Sequence, residues 1–216
     1  MNSKKYCIFA LLLTLNIGLL SAQNDAKAKT ILDKAAAQFK QGSATIDFLL
    51  TLEDTKTGKK ESLKGSVAMK GRKFKTTLPI ATTYYDGQTE YVYVNKTKEV
   101  NLSTPTEKEI QEVNPAFLLA NYAKNSTIQF SLDSKPDLPY YIIDVYPDYR
   151  KKKNYYKTIV QVNKKTSAVI SIKVLSQSGV HSILEIKKID TSKNYPDSFF
   201  AFDIAGNPKV IVNDLR

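Results

Sequence analysis

Cysteine and histidine are almost missing from this chain, which in 216 residues carries one of each, Cys7 and His181. A single cysteine excludes an internal disulfide framework. A single histidine excludes a multi-histidine zinc site and leaves little room for histidine-based catalysis. Ser178 and Ser182 flank His181, but no Gly-x-Ser-x-Gly elbow occurs. No Gly-x-x-x-x-Gly-Lys phosphate loop occurs either. Asp54, Asp86, Asp144 and Asp148 are isolated and show no metal-ligand spacing. The expectation is a non-enzyme with no catalytic residues, no metal and no cofactor. Long apolar runs are scarce too: one exists, at the N-terminus, so a polytopic helical membrane protein is excluded.

What is present is enough for a packed core. Apolar residues make up 42%, and the 13 Tyr and 9 Phe are more aromatics than a disordered chain carries. The balance of 32 Lys+Arg against 21 Asp+Glu gives a formal charge of +11. The first residues read as an address. Lys4 and Lys5 precede an apolar stretch from Cys7 to Leu20, and Ser21-Ala22 supplies a small-residue cleavage site, the three-part pattern of a secretory signal peptide. The stretch is about fourteen residues, short of the roughly twenty that a membrane span needs. Cleavage is expected after Ala22, and Cys7, lying ahead of the apolar region, would leave with the signal. Removing Lys4 and Lys5 lowers the charge from +11 to +9. Residues 23–216 then read as one domain, with no repeat or flexible linker.

That domain opens with a helix on which Ala28, Ile31, Leu32, Ala35 and Phe39 share a face, capped by Asn24 or Asp25 and ended by Gly42. Alternation then predicts strands: Ile46, Phe48, Leu50 and Leu52; Leu63, Val67 and Met69; Phe74, Thr76 and Leu78. Asp86-Gly87 signals a hairpin between Thr82–Tyr85 and Glu90–Val94, and Val100 and Leu102 follow on a short strand. A helical insert comes next. Thr104, Pro105 and Glu107 read as a capping box with proline at the first helical position, and Asn114-Pro115 divides the insert into two short helices. Strands resume with Ile128, Phe130 and Leu132, then Tyr141, Ile143 and Val145. Thr158, Val160 and Val162 follow, then Ile170, Ile172 and Val174, then the span from Val180 to Ile189. Phe200 and Phe202, then Val210 and Val212, read as closing strands.

About eleven strands without crossover helices mean an antiparallel sheet. So many strands twist and curl toward a barrel, and the few helices fit against the concave side. Alternation leaves open whether they fill the hollow or close its mouth. The run from Tyr149 to Lys157, basic from Arg150 to Lys153, reads as a solvated hairpin loop, with an anionic surface or acidic partner as the alternative and nucleic acid disfavoured by secretion.

The order of these features resembles the periplasmic outer-membrane lipoprotein carrier family (LolA-type). The opening helix leading into Ile46-Asp47-Phe48-Leu49-Leu50 is similar to the family's first strand, and Gly65–Lys70 followed by Phe74 to its second and third. Asp86–Tyr93 resembles a family hairpin in which Trp usually stands where Tyr91 stands here. Asn114–Leu119 resembles the lid helix, and Phe200–Phe202 with Pro208–Asp214 the closing strands. The resemblance implies an open, incomplete antiparallel β-barrel with a helical lid over an apolar cavity for lipoprotein acyl chains. Ile46, Phe48, Leu50, Val67, Met69, Phe74 and Tyr91 would line the sheet side, and Phe117, Leu118 and Leu119 the lid. Arg72 stands near the family's lid-closing arginine and would take that role. The implied function is a monomeric periplasmic carrier. It would receive lipoproteins from an inner-membrane ABC-type release complex and pass them to an outer-membrane acceptor, with no nucleic-acid partner. The other reading is a periplasmic lipid-binding sensor or scaffold on the same half-barrel.

Overall fold

A computed structural model describes residues 26–38, 42–107, 109–110, 126–148 and 153–216. The apolar leader, Cys7, Phe39, the Asn114-Pro115 break, Phe117, Leu118, Leu119 and the basic residues Arg150 to Lys152 lie outside the described residues.

Helix α1 (26–37) buries Ala28, Leu32, Ala35 and Ala36 and turns Lys29 and Asp33 outward, where they pair at 2.5 Å one helical turn apart. Among the described residues twelve strands follow in one sheet: β1 (Ser43–Asp54), β2 (Lys60–Lys70), β3 (Lys73–Thr77), β4 (Ala81–Tyr85), β5 (Glu90–Val94), β6 (Glu99–Ser103), β7 (Ser126–Phe130), β8 (Tyr140–Pro147), β9 (Tyr155–Asn163), β10 (Val169–Ser176), β11 (Val180–Asp190) and β12 (Ile211–Asp214). Their order is β12-β6-β5-β4-β3-β2-β1-β11-β10-β9-β8-β7. The two ends do not meet, so the sheet is an open half-barrel, as the strand pattern and the resemblance imply.

Every pairing is antiparallel except β12 on β6, which is parallel. The cause is the segment before it. Phe200 and Phe202 do not form a strand as expected. Asp197–Phe200 is a single 3-10 turn packed against β3, on the path that returns the chain to the β6 edge, where β12 runs parallel to β6. Leu132 also departs from expectation: β7 ends at Phe130, and Leu132 is fully exposed. The capping box forms two residues later than the sequence suggests. Thr106 caps the helix that begins at 107, and Glu109 Oε2 accepts from both the Thr106 N–H and its hydroxyl at 2.8 Å. Thr104 and Pro105 remain in the connection, which frees Glu107 for another partner.

Alternation gives the sheet an inner face with two apolar clusters. Helix α1 lies on Ile128, Ile143, Val145, Val160, Val162, Val169 and Ile172 of β7–β10. The second cluster joins Ala44, Ile46, Phe48, Val67, Met69, Phe74 and Tyr85 of β1–β4 with Ile110 of the insert. Leu184 and Ile186 of β11 pack against both clusters, so the two share one face. The outer face of the β2–β6 wing is covered by residues 195–202. Phe202 stacks on Tyr93 with ring centroids 5.3 Å apart, Phe200 is buried, and Asp197 receives Lys73 at 2.8 Å and Lys70 at 3.0 Å.

One cross-strand pair shapes the centre of the inner face. Phe48 of β1 stands opposite Gly65 of β2, and its ring lies over the glycine. A Cβ at position 65 would sit 2.6 Å from Phe48 Cζ and 2.7 Å from Leu78 Cδ2. Gly65→Ala should therefore destabilise the fold by about 1–3 kcal/mol in urea unfolding, and Phe48→Leu in the same chain should recover part of the loss. A neutral Gly65→Ala would contradict this packing.

Candidate functional site

The inner face of β1–β3 is where the nominated residues meet. Ile46, Phe48 and Leu50 alternate along β1; Val67 and Met69 stand on β2; Phe74 stands on β3. Register aligns them in rows: Ile46 opposite Val67, Met69 opposite Phe74, and Leu50 opposite Leu63. All six belong to the second apolar cluster, with Leu50 at its half-buried margin. Ile110 closes over them from the first turn of the insert. Burial of each large side chain contributes about 1.5–3 kcal/mol, so this roof is held by apolar contact before any polar bond.

Tyr91 is not brought to this face. Tyr85 pairs with Glu90, and the next residue along β5 turns to the opposite side, where Tyr91 faces Tyr84. Its hydroxyl donates to Asp86 Oδ2 at 3.1 Å in the hairpin turn. Phe117, Leu118 and Leu119 lie outside the described residues.

Arg72 sits in the β2–β3 turn, just after Gly71 at φ +58. Its guanidinium pairs with Glu107, the residue released by the shifted capping box. Both side chains are more than half exposed, so the pair contributes between nothing and about 1 kcal/mol. It ties the start of the insert to the sheet weakly, from the side.

Glu90 is a site residue that the sequence reading passed over. It stands at the inner-face end of the row Met69–Phe74–Tyr85–Glu90. Burial pushes its carboxyl above the ordinary range, a hydrogen bond from the Ser103 hydroxyl at 3.3 Å offsets part of this, and the charge of Glu109 adds to the rise. Only the register, which puts an acid at an inward position, could have flagged it.

Among the described residues no group of three His, Cys, Asp or Glu could hold a metal ion. His181 accepts the Ser176 backbone N–H at Nδ1 (3.3 Å) and lies edge-on to Tyr156, a structural role.

A cavity of about 810 Å³ borders the site at the far end of β3 from Arg72. That is within the size range of ligand pockets. Phe48, Gly65, Leu78 and Pro79 contribute to it, but Asp47, Leu49, Lys64, Ser66 and Thr77, which alternate to the outer face, supply much of the wall.

An open sheet whose apolar inner face is covered by helix α1 and Ile110 defines a half-barrel domain. Comparison with known proteins then places it. The chain belongs to the outer membrane lipoprotein carrier protein LolA family, whose model matches residues 19–187. Members of that superfamily are binding and carrier proteins, typically periplasmic. No curated protein matches the sequence. Among solved structures, an uncharacterized conserved protein from Thermus thermophilus superposes with a TM-score of 0.56 at 11% identity, covering 87% of this chain and 99% of that one. A LolA superfamily protein from Nitrosomonas europaea gives 0.46 at 15% identity, over 82% and 98%. A DUF1329 family protein from Desulfovibrio piger gives 0.47 at 11%, over 81% and 97%. Identities this low speak to fold alone. Among the described residues no helix is long and apolar enough to cross a membrane.

The raised Glu90 carboxyl has a signed consequence. Its folded value lies above its unfolded one, so its stabilising effect is present at pH below the ordinary glutamate range. That effect is lost as pH rises through the raised value. Glu90→Gln should raise Tm by about 1–3 °C at pH 7 and leave it unchanged near pH 3. Equal melting temperatures at pH 7 would remove the argument.

Proposed function

We propose that this protein is a periplasmic carrier that shields lipoprotein acyl chains on the inner face of its half-barrel and moves lipoproteins from the inner to the outer membrane. The observation that carries the reading is the one apolar patch formed by Ile46, Phe48, Leu50, Val67, Met69 and Phe74, roofed by Ile110 at the start of an insert. Family membership supports it, and so does the leader-like N-terminus, which fits export with cleavage near Ala22. The mature chain from residue 23 would act as one monomeric unit. Its implied partners are an ABC-type release complex that loads it and an outer-membrane acceptor that unloads it.

The described patch is closed, and closure suits the task. An acyl chain gains about 0.8 kcal/mol per buried methylene, so a dozen methylenes approach 10 kcal/mol. Such a gain would hold the client too firmly if the site stood open and dry. Displacing Ile110 and the insert during loading offsets part of it, because binding must draw on the open state. The Arg72–Glu107 pair, exposed and weak, biases closure without locking it. Phe117, Leu118 and Leu119 would complete the apolar roof. The reading as a lipid-binding sensor or scaffold uses the same patch and differs only in lacking transfer.

Three measurements test this. Mass spectrometry of the purified protein should find a co-purified lipidated client or lipid, which a lipid-extracted sample lacks. Phe74→Glu, and Leu50→Gln at the half-buried margin in case the first variant misfolds, should abolish acceptance or transfer of a lipidated client. Normal transfer by both would refute the site. Arg72→Ala and Glu107→Gln should each change client release by up to about fivefold, and the double variant should add nothing further.

A further inference from the structure

The sheet contains an open edge in its interior. β2 pairs with β1 over its whole length, from Lys60 to Lys70, but with β3 only from Ser66 to Lys70. The cause lies in the sequence. Ser66 faces Thr77, so continuing the register puts position 79 opposite Lys64, and residue 79 is proline, which has no N–H to donate. β3 stops there. The Asp54 N–H bonds the Lys59 carbonyl at 2.9 Å, so odd-numbered β2 residues turn their backbone groups to β1 and even-numbered ones turn to the β3 side. The N–H and C=O groups of Lys60, Ser62 and Lys64 therefore point at the open edge, with no partner among the described residues. The cavity of about 810 Å³ occupies the step that this leaves, bounded by Lys64, Gly65, Leu78, Pro79 and Asn95.

We propose that the edge from Lys60 to Lys64 is a strand-addition site for an extended acidic segment of a partner protein. An added strand completes the ladder where β3 breaks off and supplies partners to the three residues. Its side chains alternate between two environments. On the inner face its neighbour is Leu63, in the row of Leu50, which selects an apolar residue. On the outer face its neighbour is Lys64, which has no ion-pair partner among the described residues, whereas Lys187 on the same cavity wall is already paired with Glu185. That selects an acid. A second copy of this chain does not fit. Antiparallel pairing of two β2 edges about Ser62 would set Lys60 opposite Lys64 twice, and like charges directly opposed destabilise a ladder. The site lies at the other end of β3 from Arg72 and meets the inner-face patch at Leu63, beside Leu50, and at Phe48 on the cavity wall.

The test uses fluorescein-labelled peptides of alternating Glu-Val and of alternating Lys-Val, titrated against the purified protein by fluorescence anisotropy at low salt. The Glu-Val peptide should bind at least about tenfold more tightly than the Lys-Val peptide. Ser62→Pro removes one outward N–H and leaves the β1 ladder intact; it should weaken binding about tenfold, whereas Ser62→Ala keeps it. Lys64→Glu should reverse the preference between peptides. Amide exchange at Ser62 and Lys64 should slow when the acidic peptide binds, a readout that stands even if Ser62→Pro does not fold. Equal affinity for the two peptides, undiminished binding by a folded Ser62→Pro, or unchanged exchange at Ser62 and Lys64 would each overturn the proposal.

Discussion

The structure depends on the ladder between β1 and β11. It pairs Thr45 with Asp190 at one end and Asp54 with Val180 at the other, joining segments far apart in sequence. Every strand from β2 outward hangs on one side of it and every strand from β10 outward on the other. Leu184 and Ile186 sit in this ladder and touch both apolar clusters, so the same pairing that joins the two wings makes their inner faces continuous. The join is not regular. Asp47 faces Lys188 while Phe48 faces Ile186, which leaves Lys187 as an extra residue. A bulge of this kind increases local twist, and twist is what an open sheet needs in order to curl.

Each face carries a different burden. The inner face of the long central strands is apolar and covered by helix α1 and, at the start of the insert, by Ile110. The outer face of the β2–β6 wing is sealed by an irregular segment that uses rings and lysines. There Lys75 Nζ lies 4.5 Å from the Phe199 ring centroid and 4.7 Å from that of Tyr84, and Tyr195 both stacks on Phe199 and shares a hydrogen bond with Thr45 at 2.6 Å. This division lets the inner face stay one-sided and apolar while the wing keeps enough buried surface to hold its short strands. Aromatic residues that look interchangeable in sequence, such as Phe74 and Phe200, thus serve opposite sides of one sheet.

Much of this was legible in the residues. Period-two alternation located β1, β2, β8, β9 and β10 and chose the correct face for Ile46, Phe48, Val67, Met69, Ile143, Val160 and Val162, because these strands are long and half-buried. The helical period of Ala28, Leu32 and Ala35 did the same for α1. The signal failed where register or tertiary packing decides. Tyr91 alternates with Val92 in a strand with apolar residues on both parities, so only the pairing of Tyr85 with Glu90 settles its side. Phe200 and Phe202 have strand spacing, but Phe200 is buried against the rings of Tyr195 and Phe199, and Phe202 packs on Tyr84 and Tyr93 of the outer face. The cap expected at Thr104 forms instead at Thr106, because Glu109 closes on Thr106 while Glu107 reaches Arg72. Glu90 and the gap opened by Pro79 needed the strand register itself.

The ring of Phe48 resting on Gly65 ties two positions from different strands into one unit of variation. Volume gained at residue 65 must be surrendered at residue 48 or at Leu78, because all three fill the same space. Descendants of this sequence are therefore free to redesign the centre of the inner face only by concerted exchange, and a bulkier residue at 65 is admissible only alongside a smaller one across the ladder. The size of whatever is housed there is then inherited through a pair of sites, neither of which drifts alone.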